Sequence, residues 1–158
     1  MLVQRCSPRR GNMPDVFNPQ KRSEVMSSIR SRGNQSTEIR FISMMRQAGI
    51  TGWRRGSTLP GKPDFVFSKE RLAVFVDGDF WHGHPINCQL PRGNRAFWLK
   101  KIDSNRMRDK RVTRLLRSRG WIVMRFWESS LKAQQVNCVR RLRAGLEKGA
   151  LQLETKAG

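Results

Sequence analysis

The sequence predicts an α/β sandwich, a central mixed sheet flanked by helices. Three observations carry this. Two short segments, Asp64–Phe67 and Leu72–Val76, are apolar almost throughout, as strands covered on both faces must be. A long basic stretch from about Arg95 to Arg119 places Phe97, Ile102, Val112, Leu115 and Leu116 at helical spacing, and Gly120 ends it. A third strand-like run, Trp121–Trp127, follows directly.

The remaining elements follow in chain order. Residues 1–20 carry Pro8, Gly11, Pro14 and Pro19 with little periodicity and read as a flexible basic arm, in which Met13 is an alternative start. Ser23–Arg32 reads as a short helix, with Ser23 as its cap and Val25, Met26 and Ile29 along an apolar edge. Gly33 and Asn34 break it. Ser36 or Thr37 opens a second helix that Gly49 stops, with Ile39, Phe41, Ile42, Met44 and Met45 apolar. Trp53–Arg55 is a short first strand. Leu59-Pro60-Gly61-Lys62-Pro63 is a rigid turn into the strand that begins at Asp64. Residues 78–92 form a loop. A final helix covers about Ala133–Lys148, with Val136, Val139, Leu142 and Leu146 on one face. The expected organisation is therefore an arm over 1–20, one domain over 21–150 and a C-terminal tail over 151–158.

Charge narrows the function. The 158 residues contain 32 Lys and Arg against 12 Asp and Glu, for a formal net charge of +20. So cationic a fold has a polyanion as its partner, with nucleic acid first. Five Trp and 37% hydrophobic residues argue against a disordered basic tail. No apolar run approaches the roughly 20 residues that span a bilayer, and the basic N-terminus lacks the apolar stretch of a secretory signal. Three scattered Cys (Cys6, Cys88, Cys138) form no disulfide framework and suit a reducing cytoplasm.

The few acids are then informative. Asp64 follows Pro63 at the head of a buried strand, and Asp77 and Asp79 close the next one. A buried carboxylate needs a cation or hydrogen-bond partners. If Ser68–Arg71 is the hairpin loop, Phe67 pairs with Leu72 and Asp64 with Phe75. Asp77 then shares a face with Asp64 at a diagonal distance of roughly 7–8 Å. Both can converge on one hard divalent cation, whereas a one-residue slip would separate them. Glu38, three and four residues before Phe41 and Ile42, can join them from the helix. The alternative is that Asp64 and Asp77 only cap turns. The two histidines of the chain, His82 and His84, lie in Asp77-Gly78-Asp79-Phe80-Trp81-His82-Gly83-His84. A lone histidine is usually structural, but these sit within seven residues of a candidate carboxylate, where imidazole can accept a proton near neutral pH.

Five stretches carry a resemblance. They are Arg22-Ser23-Glu24-Val25-Met26-Ser27-Ser28-Ile29-Arg30-Ser31; Leu59-Pro60-Gly61-Lys62-Pro63-Asp64-Phe65-Val66-Phe67; and Val74-Phe75-Val76-Asp77-Gly78-Asp79-Phe80-Trp81-His82-Gly83. Then come Phe97-Trp98-Leu99-Lys100-Lys101-Ile102 with Asn105 and Arg108-Asp109, and Gly120-Trp121 through Trp127-Glu128. In these the chain resembles the very-short-patch repair (Vsr) endonucleases, DNA mismatch endonucleases with a restriction-endonuclease-like fold. The resemblance implies nicking of one strand 5′ to the T of a T:G mismatch, the product of 5-methylcytosine deamination. It also implies one or two Mg²⁺ ions. Asp64 matches the magnesium-binding aspartate, and Val76 the position whose backbone carbonyl completes that site. His82 matches the histidine that activates water, Asp77 a variable position beside the metals, and Glu38 a helix glutamate near them. Phe80, Trp81 and Trp98 match aromatics that insert beside the mismatch. The family's structural zinc, held by four Cys or His, would draw on Asp79, His84, Cys88 and a position near Ser129. With Asp79 and Ser129 there, a full zinc site is not expected, and at most a degenerate one at Asp79, His84 and Cys88.

The residues support this chemistry without the family. Phosphodiester hydrolysis needs an activated water, neutralised charge at phosphorus and help for the leaving oxygen, which divalent cations on carboxylates supply. Lys100, Lys101, Arg106 and Arg108, with Lys110, Arg111, Arg114, Arg117 and Arg119, offer phosphate contacts along one helix, although a solvated basic face is the plain alternative. Met26 is grouped with the DNA contacts. Phe80 and Trp81, adjacent in a loop, suit an apolar wedge between base pairs, while Trp98 has a core role as its alternative. The expected partner is double-stranded DNA, bound by a monomer in a bacterial-type cytoplasm at the nucleoid, with mismatch-repair proteins acting downstream. Three rival readings stand. One is a restriction-type or nicking enzyme without mismatch preference, and one is a non-catalytic DNA-binding module. The third, a basic RNA-binding protein, leaves the acid and histidine cluster unexplained.

Overall fold

A four-stranded sheet in the order β1-β2-β3-β4 organises the chain. Its strands are β1 (Trp53–Arg54), β2 (Phe65–Phe67), β3 (Leu72–Asp77) and β4 (Ile122–Trp127). The helices are α1 (Gln35–Gln47), α2 (Arg95–Ser118), α3 (Glu128–Ala133) and α4 (Gln135–Ala157). This computed structural model describes residues 35–91 and 93–157. The expected basic arm, the expected helix Ser23–Arg32 and its Met26 lie outside those residues.

β1 to β2 and β2 to β3 are antiparallel, and β3 to β4 is parallel, so the sheet is mixed and the fold is α/β. Phe67 pairs with Leu72, the register expected from a four-residue loop at 68–71. The parallel return from β3 to β4 runs through α2, as a parallel connection requires a crossover.

Side-chain alternation splits the sheet into two faces. Phe65, Phe67, Leu72, Val74 and Phe126 pack against Phe41, Met44 and Met45 of α1, Leu131 of α3, and Cys138 and Leu142 of α4. Ala73, Phe75 and Val123 pack on the other face beneath Leu116 of α2, with Val112, Leu59 and Trp121 around them. β3 thus has helices on both sides, which is why its sequence lacks the polar alternation of a half-exposed strand. Each buried Phe or Leu contributes roughly 1.5–3 kcal/mol to holding these layers together.

The structure corrects two expectations at the C-terminal end. A short helix, α3, follows β4 directly, where six residues are too few for periodicity to show. The expected tail at 151–158 continues α4 to Ala157. Leu151, Gln152, Leu153, Glu154 and Lys156 are good helix formers, and no proline or capping glycine interrupts them. No helix among the described residues is long and apolar enough to cross a membrane.

Candidate active site

The turn 59–63 sets the first acid. Gly61 has φ 78°, and a Cβ there would collide with Val112 of α2, so glycine is required for the turn to lie on that helix. Lys62 donates its backbone N–H to Leu59 O at 2.9 Å, and Pro63 is buried. The chain then enters β2 with Asp64 at its head. Oδ2 of Asp64 accepts the Val76 N–H at 2.7 Å. Burial is the main influence on this carboxyl and, with the charges of Glu38 and Asp77, outweighs the Val76 hydrogen bond and Arg125. It is pushed up to about 6.

Glu38 lies one turn before Phe41 on the inner face of α1 and is buried, as its spacing predicts. Its carboxylate is paired with Arg55. Glu38, Arg55, Ser57, Thr58, Lys62 and Asp64 line a cavity of about 440 Å³ at this end of the sheet.

The end of β3 carries the second group. Asp77 is buried, and both its oxygens are taken by Arg125 of β4, with Nε 2.6 Å from Oδ2 and Nη2 2.7 Å from Oδ1. The same Nη2 lies 3.1 Å from Oδ1 of Asp109 on α2. Nη1 of Arg125 is buried and has no hydrogen-bond partner among the described residues. Burial opposes the charge of Arg125, but Asp77 and Asp109 outweigh it and raise its basicity further.

His82 joins this group from the loop. Its Nδ1 lies 2.5 Å from Oδ2 of Asp109 and 3.6 Å from Oδ1 of Asp77. Burial works to raise the Asp109 carboxyl, yet His82, Arg125 and Arg108 together hold it below the ordinary carboxylate value. Asp77, His82 and Asp109 each present an atom able to hold a metal ion, all within 4.8 Å of one another.

Two devices hold the loop. Gly83, at φ 65°, lets it settle against Ile102 of α2, where a Cβ would clash. Asn105, buried on α2, donates its side-chain N–H to Trp81 O at 2.9 Å. Phe80, Trp81 and Trp98 then form one edge-on cluster, with ring centroids 5.0 Å apart for Phe80–Trp81, 5.3 Å for Phe80–Trp98 and 6.0 Å for Trp81–Trp98. Phe80 and Trp81 are half-buried, whereas Trp98 is only 8% exposed and backs the other two.

The expected zinc positions are held by hydrogen bonds. Oδ1 of Asp79 accepts the Ser129 hydroxyl at 3.1 Å and its N–H at 3.4 Å. His84 Nδ1 accepts the N–H groups of Ile86 and Asn87 at 3.1 and 3.0 Å, and its ring packs edge-on against Trp127. Cys88 is buried, its Sγ directed at Phe80 O at 3.7 Å. Asp79, His84 and Cys88 do not bring ligand atoms together as Asp77, His82 and Asp109 do. Lys100, Arg106 and Arg108 are exposed on α2, and Lys101 is partly covered.

The structure therefore gathers Asp64, Asp77, Glu38 and His82 around one end of the sheet. It also brings in two residues to which the sequence reading gave no role. Asp109 stood within a quoted motif as one acid among many basic residues. Arg125 had a plainer signal, a single cation inside the apolar run Trp121–Trp127.

Residues 14–90 match the family described as DNA mismatch endonuclease Vsr. The type II nicking enzyme V.NmeDIP of Neisseria meningitidis serogroup C is 37% identical over 131 residues, covering 82% of this chain and 88% of that protein. The type II nicking enzyme V.XorIIP of Xanthomonas oryzae pv. oryzae is 38% identical over 120 residues, covering 75% and 88%. The DNA mismatch endonuclease Vsr of Escherichia coli is 36% identical over 126 residues, covering 78% and 79%. With an acid and histidine site at the end of a mixed sheet, the protein is a DNA endonuclease. The chain belongs to the Vsr family of DNA mismatch endonucleases.

Proposed function

We propose that this protein is a magnesium-dependent endonuclease that nicks one DNA strand 5′ to the T of a T:G mismatch, on a restriction-endonuclease-like sandwich. The observation that carries the reading is the short His82–Asp109 contact beside the acidic end of β2 and β3. A proton acceptor held by a carboxylate next to hard oxygen donors is what phosphodiester hydrolysis needs.

The donor set fits Mg²⁺. Asp64 supplies a carboxylate raised first by burial and then by the negative charges of Glu38 and Asp77, so a cation at its oxygens would be favoured. Val76 turns its N–H toward Asp64, and in a strand the carbonyl of the same residue points to the same side. Asp64 and the Val76 carbonyl would hold the ion, with Glu38 nearby. When bound, the ion polarises the phosphate and makes its water more acidic.

The chain's own residues do the rest. Nδ1–H of His82 donates to Asp109, which leaves Nε2 as the acceptor for the proton of the attacking water. Lys100, Lys101, Arg106 and Arg108 hold phosphates along α2. Phe80 and Trp81 enter the base stack at the mismatch, supported by Trp98.

A second reading, nicking without mismatch preference, draws on the names of the Neisseria and Xanthomonas relatives. One experiment separates the two. The purified protein is incubated with Mg²⁺ and a panel of T:G, T:A and other mismatched duplexes. Nicking of the T strand confined to T:G supports the proposal. Equal nicking of T:G and T:A duplexes overturns the mismatch assignment, and no cleavage of any duplex overturns the enzyme.

A further inference from the structure

We infer that Arg125 is a positioning residue of this site, one that keeps Asp77 out of cation coordination and locks it to Asp109 behind His82. The inference rests on the nuclease reading above and assigns Asp77 a different part from that of a metal ligand.

The geometry begins in the sheet. β4 runs parallel to β3 with Arg125 opposite Phe75 and Trp127 opposite Asp77. Arg125 is thus the diagonal neighbour of Asp77 on the same face, within reach of a long side chain. Its Cζ lies 4.6 Å from the Phe75 ring centroid, so the guanidinium rests on an aromatic face with its edge toward the acids.

The fork then takes Asp77 through both oxygens, at 2.6 and 2.7 Å. Such bidentate contact fixes a carboxylate plane and uses its strongest acceptor directions. The nitrogen on Oδ1 of Asp77 also reaches Oδ1 of Asp109 at 3.1 Å. Asp109 therefore presents one oxygen to Arg125 and the other, at 2.5 Å, to Nδ1 of His82. Asp77, His82 and Asp109 lie close enough to hold a metal ion through one atom each. Arg125 already supplies the positive charge of that cluster. A cation bound there would face the guanidinium, so coordination is left to Asp64 and its neighbours.

Removing Arg125 leaves two like charges, the buried Asp77 and the half-buried Asp109, converging on His82. Separating a buried pair in this way costs more than removing both partners. The cluster then either reorganises or captures a cation. Both outcomes can be observed.

The test uses Mn²⁺ as the metal probe on the intact protein, with Arg125→Met, Arg125→Lys, Asp77→Asn and the Asp77→Asn/Arg125→Met double variant. Folding of each is checked by circular dichroism. Mn²⁺ stoichiometry is read by electron paramagnetic resonance, and nicking by single-turnover kinetics. The parent should bind no Mn²⁺ that Asp77→Asn removes. Arg125→Met should gain an Mn²⁺ that the double variant lacks. The nicking rate of Arg125→Met should fall roughly 10–100-fold with duplex affinity unchanged, as when an orienting partner is lost. Arg125→Lys should recover part of that rate. The double variant should outperform Arg125→Met, because no unpaired acid remains. With two histidines in the chain, the imidazole N–H signal of His82 can be followed by NMR, and it should move in Arg125→Met.

A parent-bound Mn²⁺ that disappears in Asp77→Asn would overturn the inference, because Asp77 would then be a ligand. An unchanged rate and unchanged Mn²⁺ count in folded Arg125→Met would overturn it too. Failure of the nuclease reading shows separately, as absence of cleavage by the parent. The Mn²⁺ count and the His82 signal still report on Arg125 in that case.

Discussion

Nδ1 of His82 lies 2.5 Å from Oδ2 of Asp109, although 27 residues separate them along the chain. The pairing brings a loop and the middle of α2 into one unit. It fixes which imidazole nitrogen carries the proton, and so which one can accept another.

Asp109→Asn should therefore slow nicking by roughly 10²–10⁴-fold, as should His82→Ala, with duplex affinity nearly unchanged. Single-turnover nicking and equilibrium binding measure the two quantities. A loss below about threefold would reduce the pair to a structural contact.

Asp64→Asn should abolish cleavage and keep DNA binding, because it preserves shape while removing the charge that holds the cation. It should also stabilise the metal-free protein. The folded carboxyl is raised to about 6 from an ordinary 3.8, so the folded state binds a proton more tightly than the unfolded one. Stability on this account is full below the unfolded value and lost as pH rises through the folded one. The variant escapes that loss, on the order of 2–3 kcal/mol at pH 8 and about 0.5 kcal/mol at pH 4. Thermal unfolding in chelator at the two pH values tests this. A variant less stable than the parent at pH 8 would contradict it.

The aromatic cluster divides by burial. Trp81 is partly exposed, and Trp81→Ala should cut discrimination between T:G and T:A duplexes by roughly tenfold or more while non-specific binding holds, since phosphate contacts dominate it. Trp98 is nearly buried, and Trp98→Ala should cost roughly 3–5 kcal/mol of stability. Retained discrimination in folded Trp81→Ala would assign these rings to the core.

Asp79 and Ser129 join the loop to α3 through two hydrogen bonds. Metal analysis of the purified protein should find clearly less than one tightly bound zinc per chain. Ser129→Ala should cost about 1 kcal/mol, the usual net worth of such a bond, with nicking little affected. Stoichiometric zinc that mutation of His84 or Cys88 removes would show that the site is metal-linked after all.

Much of the fold was legible along the chain. Phe65–Phe67 and Leu72–Asp77 announced buried strands through unbroken hydrophobicity, and the four-residue loop between them fixed their register, because pairing slips only in whole residues. Gly61 and Gly120 punctuated elements where positive φ was required. α3 and the last turns of α4 escaped, one for its brevity and the other for want of a strong stop signal.

The clustering was legible where residues are neighbours in sequence, and for Glu38 where helical spacing put it on the inner face of α1. Asp64, Asp77 and His82 lie on one hairpin and the loop that follows, so local register and proximity found them. Asp109 and Arg125 reach them from α2 and β4, 32 and 48 residues beyond Asp77. Their positions depend on the pitch of a 24-residue helix and on how a parallel strand aligns with β3. Neither quantity is local. Both follow from burying Leu116 and Phe126 on opposite faces of the same sheet, which is a property of the packed whole.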